Sequence, residues 1–149
     1  MKYRTLGKTG LNVSEISLGT WQVGGKWGSK FNFKNAEKII NTAIDNGVNF
    51  IDTADVYSEK LSEKIVGKVV RSRSEDVYIA TKCGRQLNPH NNEAYTPLVL
   101  RKFVEDSLSN FELSVLTTTL SGPGTSTLRS GPGTSTSTIR SGPGTSFST

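Results

Sequence analysis

Apolar positions along the chain change period several times, and each change predicts an element. KYRTL and LNVSEI are short alternating runs separated by GKTG, the pattern of a β-hairpin with Gly7 and Gly10 free to take positive φ. ISLGTW predicts a short strand running into a glycine-punctuated loop, WQVGGKWGSKF. Gly24, Gly25 and Gly28 there either loosen the chain or let backbone approach something closely. In AEKIINTAIDNG, the residues Ala36, Ile39, Ile40, Ala43 and Ile44 repeat with helical period, with Asn35 placed to cap the start and Gly47 to end it. VNFID comes next as a strand. LSEKIVGKVVR predicts a second helix, with Leu61, Ile65, Val66, Val69 and Val70 on one face and Ser62 as its cap. DVYIATK is the next strand, CGRQLNPHNNEAY a loop, and TPLVLRKFVEDSL a third helix with Thr96 as cap and Pro97 in its first turn. Strand and helix alternating three times argue for right-handed βα units on a parallel sheet. The pattern alone leaves an open doubly wound sheet and a (β/α)8 barrel both standing, although LGTWQVGG lacks the dinucleotide fingerprint of a Rossmann turn.

The stretch NFIDTADVY puts a carboxylate, Asp52, at the end of an apolar strand, with Asp55 and Tyr57 just beyond it. Adjacent parallel strands lie about 4.8 Å apart and finish on a common edge. NFID ends at Asp52 and VYIATK at Lys82, so adjacency would bring carboxylate and ammonium to one rim, with Tyr57 folding back over it. A free tyrosine has a pKa of about 10, and a lysine cation within roughly 4–6 Å favours its phenolate. An aspartate that holds the lysine charged completes a group able to donate a proton to a carbonyl oxygen while a cofactor supplies hydride. Plainer roles fit the same residues: a turn-capping Asp, a solvated Lys and a packing Tyr.

Beyond Glu112 the material changes. From Ser114 onward there is no acidic residue, the only charges are Arg129 and Arg140, and SGPGTS recurs at 121, 130 and 141. Gly-Pro-Gly breaks helix and strand alike, and so little apolar area cannot offset a backbone ordering cost of roughly 1–2 kcal/mol per residue. The expectation is one folded region, residues 1–113, and a disordered low-complexity tail, 114–149, with a β-rich appendage from the Thr-rich runs as the alternative. The formal charge of +5 is spread singly among acids, which argues against nucleic acid as a partner and is compatible with a phosphate-bearing small ligand. One cysteine, Cys83, allows no internal disulfide and fits a reducing compartment. No apolar run reaches membrane-spanning length, and the N-terminus lacks a signal-peptide core. The expected location is therefore cytoplasmic. Cys83 and His90 have no further ligands near them in sequence, so no metal site is expected.

The segments YRTLGKTGLNVSEISLGTW, GVNFIDTADVYS, LSEKIVGKVV and DVYIATKCGRQ resemble the N-terminal portion of the aldo-keto reductase family, over residues 1–113. That resemblance implies an α/β fold, part of a (β/α)8 TIM barrel: an N-terminal hairpin closing the bottom and about three βα units. It also implies reduction of a small aldehyde or ketone with NADPH, with Tyr57 as general acid and Lys82 and Asp52 as its catalytic partners. The resemblance further implies that Gly19, Thr20, Trp21 and Asp52 lie near the nicotinamide end of the cofactor. The family's fourth catalytic residue, a histidine at the end of the fourth strand, has no counterpart, because the likeness lapses where TTTLSGPG begins. His90, in NPHNN, is expected to be a loop residue. The segments that hold the cofactor's phosphate and adenine in the family are not matched either, and Lys60 stands where such relatives often carry glycine.

Three βα units cannot close an eight-stranded barrel, so the third strand is expected to expose an edge unless VLTTTL covers it. Three readings remain: a carbonyl reductase, a catalytically inactive fragment, or an interaction module that self-associates through its open sheet edge.

Overall fold

The computed structural model describes residues 1–26 and 28–113 in full, and the backbone of 119–120, 125–130, 139–140 and 146–147. Tyr3–Thr5 (β1) and Asn12–Ser14 (β2) pair antiparallel as the expected hairpin, with Gly7 and Gly10 at φ of 52° and 75°. Asn49 fastens this hairpin to the main sheet. Its side chain accepts from the Ser14 N–H at 2.7 Å and donates to the Asn12 carbonyl at 3.0 Å.

Three parallel strands form one side of that sheet. Leu18–Gly19 (β3) pairs with Phe50–Asp52 (β4), and β4 with Val77–Lys82 (β5). Ile51 lies directly opposite Ile79, and both are fully buried beneath the helices. Burying such a side chain contributes about 1.5–3 kcal/mol. Because strand side chains alternate, the same register turns Asp52, Ala80 and Lys82 to the other face.

Phe33–Asp45 (α1), Leu61–Arg71 (α2) and Pro97–Phe111 (α3) are the predicted helices. The caps of α1 and α2 differ from expectation. α1 begins earlier, because the Asn32 side chain accepts from the Asn35 N–H at 3.0 Å, so Asn35 is capped rather than capping. Ser62 is not the cap of α2. Its hydroxyl is buried and bonded across to Thr20 and Thr53, and Lys60 holds the cap position with no side-chain hydrogen bond. Thr96 and Pro97 start α3 as predicted. Among the apolar residues expected to be inward, Ile40, Ile44, Ile65, Val66, Val69 and Phe111 are buried, whereas Ile39 and Leu100 stand at the surface.

α2 and α3 meet at Gly67, which lies against the backbone of Phe111. Arg71 seals the end of α3 by donating to the Phe111 carbonyl and pairing with Glu112 at 2.6 Å.

The outer edge of β5 is paired, though not by the segment expected. Thr119–Leu120 (β6) is separated from it by Thr125–Ser130 (β7), which runs antiparallel to β5 from Val77 to Lys82. Ile139–Arg140 (β8) and Ser146–Phe147 (β9) extend the same sheet. The expectation of a disordered tail otherwise falls on residues outside those described.

A Cβ on residue 67 would stand 2.5 Å from Phe111 Cα and closer still to its carbonyl oxygen. Gly67→Ala should therefore destabilise the chain by about 2 kcal/mol, overpacking outweighing the roughly 1 kcal/mol gained in helix propensity. A lower urea midpoint measures this, and a rise in midpoint would refute the contact.

Candidate active site

β4 and β5 deliver their last side chains to one rim. Asp52 pairs in register with Ala80, so Lys82 overhangs the end of β4 by one pleat and reaches back. Its ammonium donates to Asp52 Oδ1 at 2.6 Å and to the Thr53 carbonyl at 2.8 Å. The same Nζ lies over the Tyr57 ring, 5.4 Å from its centroid. Carboxylate, amine and phenol ring thus lie together at one rim. The side chains of Lys82 and Asp52 are 41% and 38% exposed. In that setting an ion pair contributes about 0–1 kcal/mol, so its effect lies in orientation more than in stability.

The first parallel strand supports Asp52 from the other side. Gly19 is opposite it in register, and Thr20 donates to the Asp52 carbonyl from both N–H (2.9 Å) and Oγ1 (3.0 Å). Ser62 Oγ bonds to Thr20 Oγ1 at 2.8 Å and lies 3.0 Å from Thr53 Oγ1. Thr20 is therefore a buried brace for Asp52, and its hydroxyl is fully engaged within the protein. Gly19 and Trp21 face outward. A Cβ at Gly19 would meet nothing within 4 Å, and Trp21 is 56% exposed with its ring 6.5 Å from that of Tyr57.

Tyr57 sits on a strained turn. Ser58, Glu59 and Lys60 have φ of 48°, 55° and 74°, three consecutive left-handed residues with side chains. Each such residue costs on the order of 1–3 kcal/mol and persists only where surroundings impose it. The turn lifts Tyr57 over the rim and drops the chain into α2. The glycine expected at position 60 would have adopted this conformation without strain.

Beneath the rim lie acids that sequence reasoning gave no role. Asp55 is buried and accepts from Gln86 Nε2 at 2.7 Å. Burial pushes its carboxyl up, opposed by Gln86, the Val56 N–H and the Lys60 charge. Glu63 is fully buried and accepts from Thr81 Oγ1 and Asn110 Nδ2, each at 2.6 Å. Burial pushes it up as well, against the pull of these donors. Ser107 faces the same carboxyl but completes no hydrogen bond of normal geometry. A glutamate on the apolar face of α2 is a break in the pattern, and that is the signal that marks it. Burial and these two acids push the Cys83 thiol up to about 11, so beside Lys82 it stays protonated and inert. His90 is exposed in its loop, 2.9 Å from the Tyr95 hydroxyl, and takes no part in the rim. No group of three or more metal-ligating residues occurs among the described residues. A cavity of about 300 Å³ lies at the opposite end of the strands, beneath the hairpin, and is lined by Tyr3, Asn12, Asn49 and Val77 among others.

Residues 15–117 match the Aldo/keto reductase family, and the chain belongs to that family. It is 34% identical over 108 residues to the aldo-keto reductase YhdN of Bacillus subtilis, covering 71% of this chain and 32% of that protein. It is 40% identical over 85 residues to an Arabidopsis thaliana protein described as "Probable voltage-gated potassium channel subunit beta", covering 55% of this chain and 25% of that one. Among solved structures it is similar to the glycerol dehydrogenase AKR11B4 of Gluconobacter oxydans, at a TM-score of 0.63 and 31% identity, covering 76% of this chain and 37% of that chain. The holo form of AKR11C1 from Bacillus halodurans gives 0.61 and 31% over the same shares. The chain therefore spans between a quarter and a third of the curated relatives it matches, and the α/β fold is part of their barrel. Among the described residues no helix is long and apolar enough to cross a membrane.

The strain and the buried acid each have a measurable consequence. Lys60→Gly should stabilise the chain by about 1 kcal/mol by relieving the left-handed residue, read as a higher urea midpoint; no change would deny the strain. Glu63 is raised in the folded state, so its contribution is full below the ordinary glutamate range and is lost as pH rises through the raised value. Glu63→Gln should flatten that part of the stability–pH curve, and an unaltered curve would mean that Glu63 does not titrate there.

Proposed function

We propose that Tyr57, Lys82 and Asp52 form the proton-donating centre of an NADPH-dependent reductase acting on small aldehydes or ketones. The observation that carries this reading is a single ammonium bonded to Asp52 at 2.6 Å and lying over the Tyr57 ring at 5.4 Å. Tyr57 protonates the carbonyl oxygen as it gains charge. Lys82 stabilises the phenolate left behind, and Asp52 fixes the ammonium. The phenol recovers its proton from solvent through the exposed rim.

The described residues fit the nicotinamide end of such a cofactor. Gly19 leaves the rim unobstructed, and the Trp21 indole offers a flat apolar wall beside Tyr57. When bound, the reduced nicotinamide supplies the hydride to the carbonyl carbon and is itself oxidised. Family membership supports NADPH. A second reading, a chain that keeps the rim geometry without turnover, is favoured by the family match lapsing at residue 117 while the chain runs on to 149 in SGPGTS repeats.

Absorbance of NADPH with a simple aldehyde separates the two. Tyr57→Phe and Lys82→Met should each lower the rate by about 10²–10⁴-fold, the range for removing a general acid or its partner. Quenching of tryptophan fluorescence by NADPH, lost in Trp21→Phe, should accompany it. A flat titration together with no NADPH consumption would leave only the inactive reading.

A further inference from the structure

The left-handed turn that carries Tyr57 has no conformational preference of its own, so something outside it must set its position. Among the described residues, two hydrogen bonds cross from this turn to the end of β5 and the loop after it, and both belong to Asp55. Its N–H donates to the Lys82 carbonyl at 3.1 Å, and its carboxylate accepts from Gln86 Nε2 at 2.7 Å. Asp55 is 3% exposed, two residues before Tyr57; Gln86 is four residues after Lys82. Leaving a carboxylate in so dry a place is unfavourable unless its hydrogen bonds are made. The charged neighbours do not supply a full ion pair: Lys60 attracts it, while Asp106 on α3 repels it. A residue serving only to fill space at this point would be apolar.

We propose that Asp55 and Gln86 are positioning residues, a clamp joining the Tyr57 turn to the Lys82 loop and thereby setting the separation of ammonium and phenol. The clamp matters for catalysis only if Tyr57 is the proton donor, so this inference rests on that reading. Its geometry can be measured without turnover. The Lys82 side chain lies over the Tyr57 ring, and ring current should shift its ε-methylene signal upfield.

The test uses the full chain carrying ¹³C-lysine. The Lys82 signal is assigned by its loss in Lys82→Arg, and Tyr57→Leu calibrates the ring-current contribution. Gln86→Ala, at an exposed position that leaves the core untouched, should remove more than half of that contribution, and Asp55→Ala should do the same. Asp55→Asn keeps an acceptor for Gln86 and should retain most of it. The double Asp55→Ala, Gln86→Ala variant should be no worse than Asp55→Ala alone. A purely structural role would lower the melting temperature and leave the Lys82 signal where it was. An unmoved signal in Gln86→Ala, or no Tyr57-dependent shift in the unaltered chain, would overturn the clamp. If the signal moves as expected while the unaltered chain consumes no NADPH, the clamp stands and the proton-donor reading falls. If NADPH consumption is normal and the signal does not move, the reverse holds.

Discussion

Lys82 reaches Asp52 because two strands run parallel, in a register that leaves one longer than the other by a pleat. Everything at the rim depends on that offset. It places the ammonium above the end of β4, where it finds a carboxylate, a backbone carbonyl and a phenol ring together. A slip of one residue would turn Lys82 toward the helices, where Ile51 and Ile79 now pack. The same alternation that builds the core therefore aims Asp52 and Lys82 at the rim.

The rim is supported from below by buried polar groups. Thr20, Ser62 and Thr53 share a buried hydroxyl chain, and Glu63 draws Thr81 and Asn110 together. Each group borrows its hydrogen bonds from a different element, so α2, α3 and the three parallel strands cannot shift independently. Strain is concentrated in the turn at Ser58–Lys60, directly after Tyr57, and is tolerated because the chain on both sides is anchored. The folded region thus resembles one sector of a barrel, with the site at the C-terminal strand ends where barrel enzymes carry theirs.

Much of this was legible in the residues. The hairpin, three helices and three parallel strands come from period and punctuation, since alternation and helical spacing are local properties. Asp52, Tyr57 and Lys82 could be placed at one edge because parallel strands share an edge by construction. What local pattern could not supply were contacts between residues distant in sequence. Ser62 looked like a cap because its nearest backbone offered one. The neighbour that claims its hydroxyl, Thr20, lies forty-two positions away. Asp55 looked like one more loop acid until Gln86 was found against it.

Short-range pattern was thus enough for the hairpin, the three helices and the three parallel strands, because each depends on spacing within a single segment, and it marked Asp52, Tyr57 and Lys82 as rim candidates on the condition that their strands lie side by side. Only the packed chain decided that Thr20 braces Asp52, that Glu63 is buried on hydrogen bonds from Thr81 and Asn110, and that β5 takes an antiparallel neighbour from Thr125–Ser130. Those outcomes depend on which polar groups lose water together, and that is a property of the assembled layers, written in no single segment.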